Sequence, residues 1–142
     1  MVSDRRLATS TGQTTGSEEE VGGLIKAVIF IKRRKDLTRE QFKDYWLTQH
    51  SKLEKENAEK NWVRKIVASF TIEDDSLPEP PFDGMVELYF DSIEDMKKDV
   101  QGEQRKIMRA DEENFCDHSE EQVVVITQEY LMAVKTPCQT AV

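Results

Sequence analysis

The chain has no apolar run approaching the ~20 residues that a membrane-spanning helix needs, and its N-terminus lacks the apolar stretch of a secretion signal. A cytosolic protein with no membrane span is expected. Basic residues are in deficit: 20 Lys and Arg stand against 28 Asp and Glu, a net charge of −8. Nucleic acid demands a concentrated positive footprint, and KRRK at 32–35 is too short to supply one, so no nucleic-acid partner is expected. Cysteine is scarce. Cys116 and Cys138 have neither the density of a disulfide framework nor paired-ligand spacing, and with only His50 and His118 to assist them no metal site is expected. A Gly-rich phosphate loop, a nucleophile elbow, an HExxH helix and a dinucleotide fingerprint are all missing. Their absence removes the common phosphate, acyl-transfer, zinc-protease and nicotinamide chemistries and leaves acid–base groups.

What is present fits one domain: 142 residues, 37% apolar and 34% charged. Residues 1–23 are rich in Ser, Thr, Gly and Gln, with an acidic run at Glu18–Glu20, and are expected to be a disordered tail. Residues 24–134 carry the folded pattern, and 135–142 read as a loose C-terminal tail. Leu24–Ile31 is a short apolar run rich in β-branched side chains, a strand covered on both faces. Thr38 stands three residues before Gln41, the capping-box spacing, with Leu37 and Phe42 at the staple positions. From Phe42 the apolar stripe continues through Tyr45, Trp46, His50 and Leu53, which turns His50 inward with the aromatics. Ser51–Asn61 is charged and free of Gly and Pro, so it either extends this helix or forms a solvated connector.

Alternation over Val63–Ile72 predicts a second strand, with Ile66, Ala68, Phe70 and Ile72 on one face. A loop over Glu73–Pro81 and a turn at Asp83-Gly84 lead into a third strand, Met85–Phe90, whose Glu87 and Tyr89 oppose Val86, Leu88 and Phe90. Ser92 opens a helix carrying Ile93, Met96 and Val100 up to Gly102. A second helical piece, Gln104–Cys116, sets Ile107, Met108, Asp111 and Phe115 on one stripe. Val123–Met132 is the last strand, with Glu129 among apolar neighbours. The order is β-α-β-β-α-β, an α+β ferredoxin-like arrangement with an antiparallel sheet. One layer of helices covers only one face of that sheet, so a second subunit is expected on the other.

The acid–base groups are His50, the carboxylates Asp83, Glu87, Asp111 and Glu129, and the phenols Tyr45, Tyr89 and Tyr130. Histidine suits proton transfer because its unperturbed pKa is about 6.5, and a carboxylate can orient its ring. Each also has a plain structural use: His50 as a satisfied core residue, Asp83 as a turn residue, Glu87 and Glu129 in ion pairs, Asp111 as a cap or salt bridge, His118 at the surface, and the Phe42–Tyr45–Trp46 cluster as core.

The strand followed by KRR-x-x-L-T-x-E-x-F-x-x-Y-W-x-x-x-H, the Asp83-Gly84 turn and the D-E-x-x-F of Asp111, Glu112 and Phe115 together resemble the EthD-domain family. Members often carry proline just after the histidine, where this chain has Ser51. The resemblance implies a dimeric α+β barrel and, in its nearest form, a fungal polyketide-pathway decarboxylase or dehydratase. Such enzymes use no metal or organic cofactor and hold an aromatic or polyketide substrate between sheet and helices. It implies His50 as general acid/base, Asp83 or Glu129 as its orienting carboxylate, and Tyr45, Trp46, Glu87, Tyr89 and Phe115 around the substrate. A cofactor-free oxygenase of aromatic polyketides and a non-catalytic small-ligand or stress module are the alternative readings.

Overall fold

In the computed structural model, residues 24–137 are described. The expectations for residues 1–23 and 138–142, Cys138 among them, lie outside that range. The strands are β1 (Ile25–Ile31), β2 (Lys65–Phe70), β3 (Gly84–Phe90) and β4 (Val124–Gln128). They form one antiparallel sheet in the order β2-β3-β1-β4, the ferredoxin-like topology. The last strand is shorter than its sequence pattern predicts, because its ladder stops at Gln128 opposite Ile25, the first residue of β1. Glu129 lies just past that end. Likewise β2 stops at Phe70 opposite Gly84, and Ile72 is left exposed.

Helix α1 (Arg39–Tyr45) begins on the full capping box: the Thr38 hydroxyl accepts from the Gln41 backbone N–H, and the Gln41 side chain accepts from the Thr38 N–H. A π-helical turn, Trp46–His50, follows, and the chain continues without a break into α2 (Ser51–Lys60). The charged segment after the histidine therefore extends the helix. The Ser51 backbone N–H donates to the Trp46 carbonyl, a bond that closes the wide turn and that a proline at this position could not make. The second helical region is two helices, α3 (Ile93–Gln101) and α4 (Glu103–Glu112), divided at Gly102, where the backbone is extended.

Period-two alternation sends Ala27, Ile29 and Ile31 of β1 and Val86, Leu88 and Phe90 of β3 toward the helices, where they pack with Phe42, Trp46, Val63 and Phe115. Gly84 sits under this cluster. A Cβ there would lie 3.1 Å from the Trp46 ring and 3.2 Å from the Ser69 carbonyl, so the close approach of helix to sheet favours glycine. The opposite face of the sheet carries Lys26, Val28, Val67, Met85, Glu87 and Tyr89, by the same alternation. No helix among the described residues is long and apolar enough to cross a membrane.

Candidate active site around His50

The π-helical turn sets His50 directly inward. The residue is 3% exposed, with its ring 4.9 Å from the Phe115 ring and 6.4 Å, edge to face, from that of Trp46. His50 Nδ1 lies 2.8 Å from Asp111 Oδ2, and the carboxylate fixes the tautomer: Nδ1–H donates, which leaves Nε2 as the nitrogen able to exchange a proton. Nε2 faces Glu54 Oε1 at 3.7 Å, and that oxygen also receives the Trp46 indole N–H. The other Asp111 oxygen accepts from the Tyr45 hydroxyl at 2.8 Å, and the Asn114 side-chain amide donates to both the Tyr45 oxygen and Asp111 at 3.1 Å.

These contacts push the carboxyl groups apart. Burial pushes Glu54 up, against the Trp46 N–H and the charge of His50, with Glu112 adding repulsion. Asp111 also pays for partial burial, yet the donors on His50, Tyr45 and Asn114 outweigh it and hold the carboxyl below its ordinary range. Burial, followed by the hydrogen bond to Asp111, raises the Tyr45 phenol. The centre is thus an imidazole between two carboxyls shifted in opposite directions, Asp111 down and Glu54 up.

Of the residues the sequence pointed to, the fold brings His50, Tyr45, Trp46 and Phe115 together, and the carboxylate at His50 is Asp111. The expected pairing with Asp83 or Glu129 is corrected. Asp83 sits where β3 begins and is occupied there: it accepts from the Arg33 backbone N–H and from Arg39 Nε, each at 2.8 Å, with Arg33 Nε at 3.3 Å. It ties the β1–α1 connection to the sheet. Glu129, Glu87 and Tyr89 belong to the sheet face turned away from the helices. There Lys26 Nζ lies 2.8 Å from Glu87 and 3.6 Å from Glu129, the Tyr89 hydroxyl donates to Glu129 at 3.3 Å, and Lys26 and Lys65 both lie over the Tyr89 ring. Tyr89 and Glu129 line a separate hollow of about 390 Å³ with Lys65 and the extended segment after Glu129.

Besides Asn114, two residues escaped the sequence reading. Glu54 stands four residues after His50, one helical turn on, a signal that was available once α2 was known to continue. Asp99 was passed over within the α3 stripe. It is 2% exposed and lines a cavity of about 310 Å³ between the sheet and helices α3 and α4, where neither of its carboxyl oxygens has a hydrogen-bond partner. His50 is not among that cavity's lining residues. At 100° per residue, Asp111 falls on the side of α4 away from Arg105 and Arg109, which do line it. No group of three His, Cys, Asp or Glu side chains suited to a metal occurs among the described residues.

The family model of the EthD domain matches residues 34–119, a span that begins before α1 and ends after α4 and so contains the whole His50 centre. No protein of curated function matches the chain. Among solved structures, an EthD family protein from Bacillus halodurans is similar at 17% identity and a TM-score of 0.59, over 76% of this chain and 100% of that one. A dimeric ferredoxin-like protein of unknown function from Bacteroides fragilis aligns at 16% identity and a TM-score of 0.56, over 74% and 95%. The hydroxynitrile lyase of Passiflora edulis aligns at 12% identity and a TM-score of 0.54, over 80% and 99%. At these identities the structural likeness establishes the fold.

Proposed function

The chain belongs to the EthD domain family, and we propose that it is a cofactor-independent lyase, a decarboxylase or dehydratase acting on an aromatic polyketide-derived intermediate, with residues 24–134 as its domain. The observation that carries this reading is the His50–Asp111 pair, a buried imidazole with one nitrogen committed to a carboxylate and the other left for proton exchange. A hydroxynitrile lyase on the same fold, one of the solved structures the chain resembles, supports a lyase further.

His50 is assigned as the general acid/base. In decarboxylation of a hydroxyaryl acid, imidazolium Nε2–H protonates the ring carbon bearing the carboxylate. The C–C bond then breaks, CO2 leaves, and the bonding pair returns to the ring. One proton is consumed per CO2 released, and solvent restores it to Nε2. In dehydration the imidazole takes the proton next to a carbonyl and returns it to the departing hydroxyl. Asp111 stabilises the imidazolium in both, and Tyr45 and Asn114 hold Asp111 in place. Glu54, whose pKa burial raises, stands beside Nε2 as a proton relay. Asp83, Glu87 and Glu129 are assigned to holding the fold.

The protein is proposed to act as a homodimer. Val124, Val125 and Ile126 on the edge strand and Leu131, Met132 and Val134 beyond it are exposed apolar side chains that a second copy would cover. Sedimentation should give a dimer at micromolar concentration, and a stable monomer there would refute that assembly.

The test of the activity is turnover of a panel of hydroxyaryl carboxylates in D2O, read as CO2 release and deuterium at the vacated ring carbon, for the parent and for His50→Gln. Loss of His50 is expected to cost roughly 10²–10⁴-fold in kcat with the fold retained. A folded His50→Gln variant turning over within a few-fold of the parent sinks the assignment. Oxygen uptake on substrate addition would replace the lyase by an oxygenase.

A further inference from the structure

The reaction assigned to His50 takes a proton from water, yet the residue is 3% exposed. Its Nδ1 is committed to Asp111, and its Nε2 faces Glu54, whose side chain is 14% exposed. A third carboxyl lies deeper. Glu112, the last residue of α4, is 6% exposed, and its Oε2 has no hydrogen-bond partner. A buried carboxyl oxygen left in that state costs stability, and nothing in the packing of the core offsets it.

Beside that oxygen stands the second histidine of the chain. His118 Nε2 lies 3.6 Å from Glu112 Oε2, and 27% of the His118 side chain is exposed. It opens on a surface hollow of about 540 Å³ that it lines with Arg34, Lys35, Asp36 and Asp117. Water therefore reaches His118 while Glu112 is withheld from it. On the inner side, helices α2 and α4 pack together, joined by the His50–Asp111 contact and by the Gln104 side-chain amide, which donates to the Leu53 carbonyl at 3.4 Å. Glu54 and Glu112 project from these two helices into the same interior. Burial raises the Glu54 pKa, the Trp46 N–H and His50 oppose the rise, and the Glu112 charge adds to it. The order from the centre outward is imidazole, carboxyl, carboxyl, imidazole, and its outer end alone is open to the hollow.

We propose that Glu112 and His118 continue the Glu54 relay to the surface, so that His118 is the port through which the His50 centre draws its proton from water. An imidazolium at His118 gives its Nε2 proton to Glu112, Glu112 passes one to Glu54, and Glu54 delivers one to His50 Nε2. Water recharges the His118 ring, and both carboxyls end as they began. One proton enters for each that the centre spends. No hydrogen bond joins Glu54 to Glu112 at rest, so that crossing, like the 3.6 and 3.7 Å steps on either side, closes by side-chain rotation or through one water. The inference rests on the assignment of His50 as the proton-exchanging group and extends it to two residues that touch no substrate.

The experiment reads how fast the His50 ring N–H protons exchange with water, by NMR of the full chain carrying isotope-labelled histidine. Parent, His118→Gln and Glu112→Gln are compared, and no substrate is needed. Both variants are expected to slow the exchange roughly tenfold or more. Added imidazole, a small diffusible proton carrier, should restore it in His118→Gln and leave Glu112→Gln slow, a response that a merely structural histidine would not give. Exchange in folded His118→Gln within about twofold of the parent overturns the proposal, since water then reaches Glu54 directly. Slowed exchange that imidazole does not restore overturns it too. His118 lies at the surface, so His118→Gln decides the matter even where Glu112→Gln fails to fold. Should His50→Gln keep its turnover, the assignment of His50 falls and the exchange rates still judge the route. Should His50→Gln lose turnover while exchange ignores His118, the route alone falls.

Discussion

Helices α3 and α4 each carry a carboxyl withdrawn from solvent and treat it in opposite ways. Toward α1 and the π-helical turn, Asp111 has both oxygens bonded, by His50 Nδ1 on one and by Tyr45 and Asn114 on the other. On α3, Asp99 lines a cavity beside the sheet, with neither oxygen in a hydrogen bond. The difference separates two meanings of a buried polar group. A satisfied cluster fixes the geometry of the groups within it, whether that geometry serves folding or chemistry. An unsatisfied one costs stability that an apolar side chain in its place can recover.

Removing the hub of the satisfied side should have the largest effect on stability. Asp111→Ala leaves the His50 and Tyr45 donors without their acceptor, and because the carboxylate is partly exposed the expected cost is about 2–3 kcal/mol, below that of a fully buried broken pair. Denaturant unfolding measures it. A loss below about 0.5 kcal/mol would show that the cluster contributes little to the fold and strengthen a catalytic reading of its geometry.

The opposite sign is expected on α3. Asp99→Leu replaces an unpaired carboxyl by an apolar side chain of similar size in an apolar wall, and a gain of about 1–2 kcal/mol is expected at neutral pH. Burial raises the Asp99 pKa, against Arg105 and the Trp62 N–H. The penalty for ionised Asp99 is therefore present above that raised value and fades as the pH falls through it, and the gain should shrink in step. A variant less stable than the parent at neutral pH would mean that Asp99 has a partner in solution.

The two sides also differed in how readily they could be read from the sequence. The strands, the Thr38 capping box and the inward aim of His50 follow from periodicities of two and 3.6 and from local spacing, and these appear as expected. The partner of His50 did not follow, because Asp111 lies 61 residues away and the docking of α4 alone decides which of several carboxylates reaches the ring. Strand β4 was drawn too long because side-chain pattern does not record where its partner strand ends. Asp99 was legible in principle: it adjoins Met96 at i+3 on the apolar stripe of α3, and a carboxylate there is an anomaly that the stripe's hydrophobic residues concealed. Local rules reach elements and faces, while pairings across the fold belong to tertiary packing.

Acid should sharpen the contrast further. The donors around Asp111 hold its carboxyl below the ordinary range despite burial, so its stabilisation is complete above the unfolded pKa, about 3.9, and is lost as the pH falls through the lower folded value. The stability difference between parent and Asp111→Asn should therefore still be present at about pH 4 and close below it. A difference that closes well above that point would mean the folded pKa is not depressed.

The smallest expected effect separates the parts of the satisfied cluster. Tyr45→Phe removes the hydroxyl that donates to Asp111 at 2.8 Å and leaves the ring on Phe115, 5.1 Å between centroids, so the packing of α1 is retained. Asn114 still donates to the same Asp111 oxygen, so the acceptor is not orphaned. Both facts hold the cost near that of one ordinary hydrogen bond, about 1 kcal/mol. If Asp111 serves only to brace the fold, turnover should follow stability and barely change. If it orients His50 for proton transfer, the carboxyl freed on one side will pair with the imidazole less rigidly, and kcat should fall by more than KM rises. A Tyr45→Phe variant with parental kcat and a stability loss of about 1 kcal/mol would assign the tyrosine to the scaffold and leave the orienting role to Asp111 alone.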